Sequence, residues 1–443
     1  MSFPAYQSYR ESGVEWLGRV PSHWETKPLK AVTSCNDEVL TEATPPDYEI
    51  EYVEISDVQA GRGIKASTSY SFSDAPSRAR RKLRDGDVLV STVRTYLRAI
   101  AQVREPAENL IASTGFAVLR PQRAHSDFIG YAVQAEETIN EIIARSVGVS
   151  YPAINASDLV RIAIAVPPVT EQRSIAAFLD RETAKIDALV EAQERLIALL
   201  KEKRQAVISH AVTKGLDPSA QMKDSGVEWL GQVPAHWEVV TVRRLATRVQ
   251  TGTTPSSEPA SADTEVGMDW FTPGDFGSGV ALNQAAKRIS IAVVDGGEAR
   301  VFPAGSVLVI GIGATLGRVG VALTACSANQ QINAISPDDT VDPFFLAYAL
   351  SVQEEIMRKL SNASTIGIMN QDRTKDLSLC RPPLQEQAAI VAGIGGELQN
   401  IDALASQAEA AITLLQERRA ALISAAVTGK IDVRGLVQTA EAA

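Results

Sequence analysis

The chain has 443 residues, 45% hydrophobic and 22% charged, a balance that excludes a disordered or fibrous polymer and fits a soluble globular protein of two to four domains. A formal charge of -10 argues mildly against a nucleic-acid partner, because such binding rests largely on phosphate neutralisation, although a local basic face remains compatible with it. No basic stretch followed by an apolar core opens the chain, and Val301 to Thr324 is interrupted by Pro303, Arg318 and glycines, so neither a signal nor a membrane helix is expected and a cytoplasmic setting is.

Cys35, Cys326 and Cys380 are odd in number and far apart, and His23, His125, His210 and His236 lack ligand spacing. Reduced thiols and no metal site are the expectation.

SGVEWLGRVPSHWE opens at Ser12. Residues 50 to 56, 87 to 93, 99 to 103 and 115 to 120 are rich in β-branched residues and predict strands, and Ser126 to Ser146 predicts a helix ending before Gly148. From Pro167 a Pro-Pro pair leads into a segment with no further proline and with apolar residues at heptad spacing. Ile175, Leu189 and Leu196 fall on one seam position, and Leu179, Ile186, Leu200 and Val207 on the other. One helix of ~40 residues is predicted.

The design then repeats. SGVEWLGQVPAHWE begins at Ser225, 213 positions after Ser12, and a second Pro-Pro segment begins at Pro382, 215 after Pro167. Between them, 306 to 312, 318 to 323 and 331 to 336 predict strands and Pro343 to Leu360 a helix. The second helical segment carries Ile390 and Leu404, then Ile394, Ile401, Leu415 and Leu422, at the corresponding seam positions. DGDVLVSTV from Asp85 aligns with AGSVLVIGI from Ala304, and Asn155 and Asn370 each precede their Pro-Pro pair by twelve residues. Glu182 and Glu397, with Lys203 and Arg418, interrupt the seam at repeated places, a pattern that fixes register. The fold expected is α/β: two globular α/β domains separated by two long antiparallel helices, a coiled-coil spacer with a pseudo-twofold internal repeat. The boundaries expected are 1–166, 167–215, 216–381 and 382–433, with a disordered tail over 434–443.

The repeat, the PP-x-x-EQ helix openings and the SGVEWLG/HWE segments closely resemble specificity subunits of Type I restriction-modification systems, from Ser12 to Asp432. TGTTPSS at Thr251, WFTPGDF at Trp270, GATLGRVGVA at Gly313 and NQQI at Asn329 are similar to stretches of the family's target-recognition domains. The resemblance implies two such domains, each reading half of a split double-stranded DNA site, with helices that space them and dock two modification (methyltransferase) subunits. S-adenosylmethionine, and ATP with magnesium, are then expected on partner subunits, one of which can be a restriction subunit, and none in this chain. Retained helices suit twin partners and divergent domains suit unlike half-sites. The target is therefore expected to be asymmetric, with half-sites centred ~10 base pairs apart.

Arg78, Arg80, Arg81, Lys82 and Arg84 place five positive charges in seven residues, a density suited to phosphates and, through arginine, to guanine O6 and N7. A solvated charged turn is the competing reading. Arg94, Thr95, Tyr96 and Arg98 follow a predicted strand and extend the same candidate face. In the second half the candidates are the hydroxyls of Thr251, Thr253, Thr254 and Ser256, Arg318, the amides of Asn329, Gln330 and Gln331, and Asn370, Gln371 and Arg373. Turn formation by Thr-Gly and Thr-Pro competes there. Trp16, Trp24, Trp229 and Trp237 recur in both openings and are expected to be structural, since a base-reading residue differs between unlike half-sites. Gly311, Gly313 and Gly317 miss the G-x-G-x-x-G spacing, and neither a phosphate loop nor an Asn-Pro-Pro-aromatic tetrad is present. A non-enzymatic binder is expected; the rival is a coiled-coil scaffold that joins proteins without touching DNA.

Overall fold

The computed structural model describes residues 3–257, 260–261, 267–361 and 367–436. Two compact units form, one of residues up to Glu194 together with those from Glu409 onward, the other of Arg195–Ala408. The two long helices run unbroken over Val169–Lys214 and Leu384–Val427. Each helix thus gives one half to each unit, so 167–215 and 382–433 do not stand apart from the globular cores.

In the first unit, Glu25–Pro28 pairs with Ala163–Val166 and closes the globular part beside the helix opening. An antiparallel sheet runs in the order Ile100–Gln102, Val88–Ser91, Phe116–Pro121, Thr33–Cys35. A second runs Thr68–Ser71, Glu49–Val53, Leu110–Ser113, Ala79–Lys82, with its central pair parallel. Every residue of Val88–Ser91 is buried, which is why its sequence reads as a continuous apolar run rather than an alternation. Two predicted elements end early. The strand predicted over 50 to 56 stops at Val53, because Glu54 and Asp57 cap each other's backbone in a 3-10 turn over Ile55–Asp57. The helix predicted from Ser126 to Ser146 is two helices, Ser126–Gln134 and Glu136–Ala144, bent at the buried, extended Ala135. The Glu136 N–H freed by the bend donates to Ser424 Oγ at 2.9 Å.

The second unit repeats the two-sheet plan with five strands and three in place of four and four. Its larger sheet runs Ala246–Thr251, Ile332–Pro337, Val307–Ile310, Val319–Ala322, Ala281–Leu282; its smaller runs Arg288–Ser290, Gly267–Phe271, Ser327–Ala328, the latter two parallel. Glu238–Thr241 with Ser378–Arg381 provides the closing pair. The helix predicted over Pro343 to Leu360 is again two, Pro343–Ser351 and Glu354–Leu360. Between them the buried Gln353 amide donates to the carbonyls of Ala349 and Ser378.

The retained motifs meet one another. Trp24 Nε1 donates to Glu171 Oε1 at 3.1 Å and His23 Nε2 lies 2.8 Å from Oε2; Trp237 and His236 hold Glu386 in the same way at 3.0 and 2.8 Å. Gln172 and Gln387, next in each helix, donate to the carbonyls of Pro167 and Pro382 and accept from the backbone N–H of His125 and Asp342. The PP-x-x-EQ and HWE motifs are therefore two halves of one joint between helix and globular part, and Trp24 and Trp237 are buried in it. The first unit adds a third donor, the Tyr6 hydroxyl at 2.5 Å from Glu171 Oε1. There the N-terminal segment also meets the chain's other end: Asp432 N–H donates to Pro4 O at 2.7 Å and Arg434 lies over the Tyr6 ring. Of the tail expected to be disordered, Arg434–Leu436 form a turn held on this core, and 437–443 lie outside the described residues.

Within each unit the helix halves pack antiparallel, but one of the two predicted seam rows is displaced. Leu179, Ile186, Leu200 and Val207, and Ile394, Ile401, Leu415 and Leu422, face inward, and Ile175 and Ile390 are buried in their globular cores. Leu189, Leu196 and Leu404 are instead 51%, 39% and 49% exposed. Glu397, Lys203 and Arg418 are exposed, and Glu182 is half-buried and pairs with Arg181 and Lys185. The companion row runs through Thr183, Val190, Ile197, Arg204 and Ala211, and through Leu398, Ala405, Ile412, Arg419 and Ala426. Polar residues win these places because partners await them. Tyr131 reaches Thr183, Arg419 pairs with Asp187 at 3.0 Å, and Arg204 pairs with Asp402 and donates to Ser278 O at 3.1 Å. Asp187 and Asp402 stand 215 positions apart, as do Arg204 and Arg419, so these are one ion pair formed once in each unit.

Among the described residues no helix is long and apolar enough to cross a membrane, and no group of three or more His, Cys, Asp or Glu side chains could hold a metal. All three cysteines are free, and burial pushes the Cys326 and Cys380 thiols up to about 12.

Replacing Glu171 by Ala strands three donors and replacing Glu386 strands two at a more open site. Denaturant unfolding is expected to show a loss of about 2 kcal/mol or more for Glu171→Ala and roughly half that for Glu386→Ala.

Candidate nucleic-acid interface

In the first unit the basic run is a strand over Ala79–Lys82, with Arg78 in the turn before it, Arg84 beyond its end and segment 38–40 bonded along its outer side. Ala79–Lys82 pairs with Leu110–Ser113 across a register shift between Ala112 and Ser113, opposite Arg80. Arg80 is half-buried, its guanidinium 4.9 Å over the Phe72 ring and 3.4 Å from Glu42. Arg81 is half-buried with its Nε enclosed. Arg84 is tied to Glu38, and Arg98 forms two bonds to Glu136 at 2.6 and 2.8 Å. Arg78 and Lys82 are exposed, and among the described residues neither has a carboxylate within ion-pair distance. Arg78 O accepts from Thr114 N–H, and Gly115 O from Thr92 N–H, so the basic strand and the turn carrying Arg94 and Tyr96 adjoin through one tight bend. Both of those side chains are exposed.

In the second unit the structure gathers residues far apart in sequence. The Thr251 hydroxyl donates to Asn333 Oδ1 at 2.8 Å and lies 3.0 Å from the Gln371 amide, while the Thr254 hydroxyl donates to Gln330. Asn329 is buried, and its amide clasps Gln331 through two bonds of 3.0 and 3.1 Å. The loop after Thr251 approaches its neighbour so closely that a Cβ on Gly252 would lie 2.1 Å from Ala328 O. Segment 298–300 clamps the same loop: Arg300 N–H donates to Thr253 Oγ1, and Ser256 and Ser257 N–H donate to Glu298 Oε2. Donation from Ser257 and then Ser256 holds the Glu298 carboxyl below the usual carboxylate range. Thr254, Ser256, Arg318, Gln330 and Asn370 are the exposed members of the sequence-derived set. Asn370 caps the helix Gln371–Lys375 through Arg373 N–H, Arg373 donates to Ile368 O, and Arg318 donates to Phe276 O. Sequence reasoning missed Asn333, Glu298 and Arg300, which hold the loop, and the segment from Val147 to Tyr151, which lies against the Arg94 turn. Contacts between segments so far apart leave no local pattern to find them by.

The family of the type I restriction modification DNA specificity domain matches residues 21–198 and, a second time, residues 234–413. The chain belongs to that family. The MjaX type I restriction enzyme specificity subunit, as it is named in Methanocaldococcus jannaschii, is 23% identical over 97% of this chain and 99% of its own length. A chain from a structure on complex assembly and conformational transition of the type I R-M system shares the fold at a TM-score of 0.72, with 24% identity over 92% of this chain and 98% of that one. The HsdS subunit of Thermoanaerobacter tengcongensis does so at 0.52, with 24% identity over 95% and 99%. The two matched segments coincide with the repeat, so this specificity subunit carries two DNA specificity domains, and its role is DNA sequence recognition in a type I restriction-modification system.

Removing exposed, unpaired charge tests the basic strand without opening its core. Arg78→Ala with Lys82→Ala is expected to lower the salt slope of DNA binding by about 2 with unfolding unchanged. Arg80→Ala and Arg81→Ala are expected to lower the unfolding midpoint as well, as read by thermal denaturation.

Proposed function

We propose that the chain is the non-catalytic, DNA-reading subunit of its complex, each unit addressing one half of a split, asymmetric target. One observation carries this reading. The two units share a two-sheet plan and the same helix joint, yet the candidate set of the first is cationic, with Arg78 and Lys82 exposed, and that of the second is mostly hydroxyls and amides, with Arg318 its one exposed cation. Surfaces that diverge on a retained frame fit two unlike stretches of duplex.

The helices support two copies of one partner, the modification subunit. Leu189 and Leu199 of the first helix and Leu404 and Leu414 of the second occupy repeated positions and are all exposed, so the same apolar stripe is offered twice. S-adenosylmethionine then belongs to the modification subunits, and ATP with magnesium to a restriction subunit where one is present. Such a complex works on DNA in the cytoplasm. Half-sites centred ~10 base pairs apart would place both readers on one face of the duplex.

The methylated-adenine map of cells carrying this chain with its modification subunit is expected to return a two-part asymmetric motif. Exchanging residues 26–166 for those of a relative is expected to change one part only; a change in both parts would refute modular readout.

A further inference from the structure

The turn at Thr95–Leu97 is flanked by two arginines in the left-handed region, Arg94 at φ 51° and Arg98 at φ 53°. Side chains other than glycine's adopt that region at a cost, and such strain persists where the side chain is needed. The chain's own second half holds the unstrained version. At the positions aligned with Arg94 and Arg98 it has Gly313 and Gly317, at φ 100° and 93°. Arg98 is accounted for by its double bond to Glu136. Arg94 is not: among the described residues no carboxylate lies within ion-pair distance, and its guanidinium rests only 5.1 Å over the Tyr151 ring.

Tyr151 belongs to a second segment joined to this turn. Arg94 N–H donates to Pro152 O at 2.8 Å, Val93 and Val147 each form a bridge with Ala153, and the Thr95 and Ser146 hydroxyls bond at 2.8 Å. The combined finger exposes Tyr96, Leu97, Val147, Val149 and Tyr151, with Val149 wholly in solvent. A surface for twin protein partners recurs in both halves, as Leu189 and Leu404 do. Here the backbone junction recurs, Ile312 bridging Ile368 as Val93 bridges Ala153, but the counterpart of Arg-Thr-Tyr-Leu-Arg is Gly-Ala-Thr-Leu-Gly, so the side chains are private to one half, as base-reading side chains are.

We infer that Arg94, backed by Tyr151, reads a guanine edge in the first half-site, and that the finger of residues 94–98 and 147–151 sets the sequence of that half. The guanidinium fork matches the O6 and N7 acceptors, and a flat ring behind it limits its rotamers before DNA arrives. This rests on the reading of the first unit as a DNA-facing domain.

The test uses the full complex with its modification subunits, comparing the parent with Arg94→Gly, Arg94→Ala and Tyr151→Ala on duplexes varied at each position of the mapped motif. Arg94→Gly is expected to melt no lower than the parent, since it copies the second half's own solution, and to leave recognition of the second half-site intact. Discrimination at one G·C pair of the first half-site is expected to fall about tenfold or more, with a smaller fall at the same pair for Tyr151→Ala. Unchanged first-half discrimination would overturn the inference. So would an equal loss on every sequence with the salt slope reduced by about 1, which marks a phosphate contact, or weaker retention of the modification subunit, which marks a protein-docking patch. A parent complex with no sequence preference would remove the DNA-reading proposal itself, and this inference with it.

Discussion

A carboxylate in the first turn of each long helix, Glu171 or Glu386, accepts from an indole N–H and faces an imidazole of the preceding globular part. The neighbouring glutamine ties the same turn to the Pro-Pro carbonyl and to the backbone before the next helix. Stranding those buried donors would be costly, so the joint sets the angle at which each helix leaves its sheet. Its residues come from segments about 150 positions apart, closing each globular part into a loop whose ends are fixed. The joint's repetition in both units is the physical content of the sequence repeat.

With ends fixed, the middle is free to vary. Both units keep a parallel pair in one sheet, Glu49–Val53 with Leu110–Ser113 and Gly267–Phe271 with Ser327–Ala328, and a buried four-residue strand in the other, Val88–Ser91 and Val307–Ile310. Loop chemistry between those strands differs almost completely. Thr251, Asn333 and Gln371 interlock in the second unit, whereas the first has a cationic strand with a register shift and an arginine stacked on phenylalanine. Helix and core features are duplicated, and the loop chemistry is not.

Much of this was legible in the sequence. The repeat, both long helices and the central strands followed from periodicity and composition, because those elements are buried in regular ways. The seam was half legible. Leucine at 189 and 196 draws a reader to one heptad row, but Thr183 and Arg204 take the interior because Tyr131, Asp402 and the Ser278 carbonyl are waiting there. Helix bends at Ala135 and Gln353 were not legible, since neither residue breaks a helix by propensity and tertiary packing alone demands the turn. Single charges were hardest to judge. Arg78 and Arg81 look equivalent in a basic run, and only strand pairing decides that one meets solvent and the other lies half inside.

The ion pairs between the helices have an evolutionary consequence. Seventeen positions separate Asp187 from Arg204, and seventeen separate Asp402 from Arg419, so both pairs close only while the two intervals are equal. An insertion in one helix alone would strand a half-buried guanidinium, while matched insertions in both would preserve each pair. Drift in the length of this bridge is thereby restricted to coordinated, twofold steps.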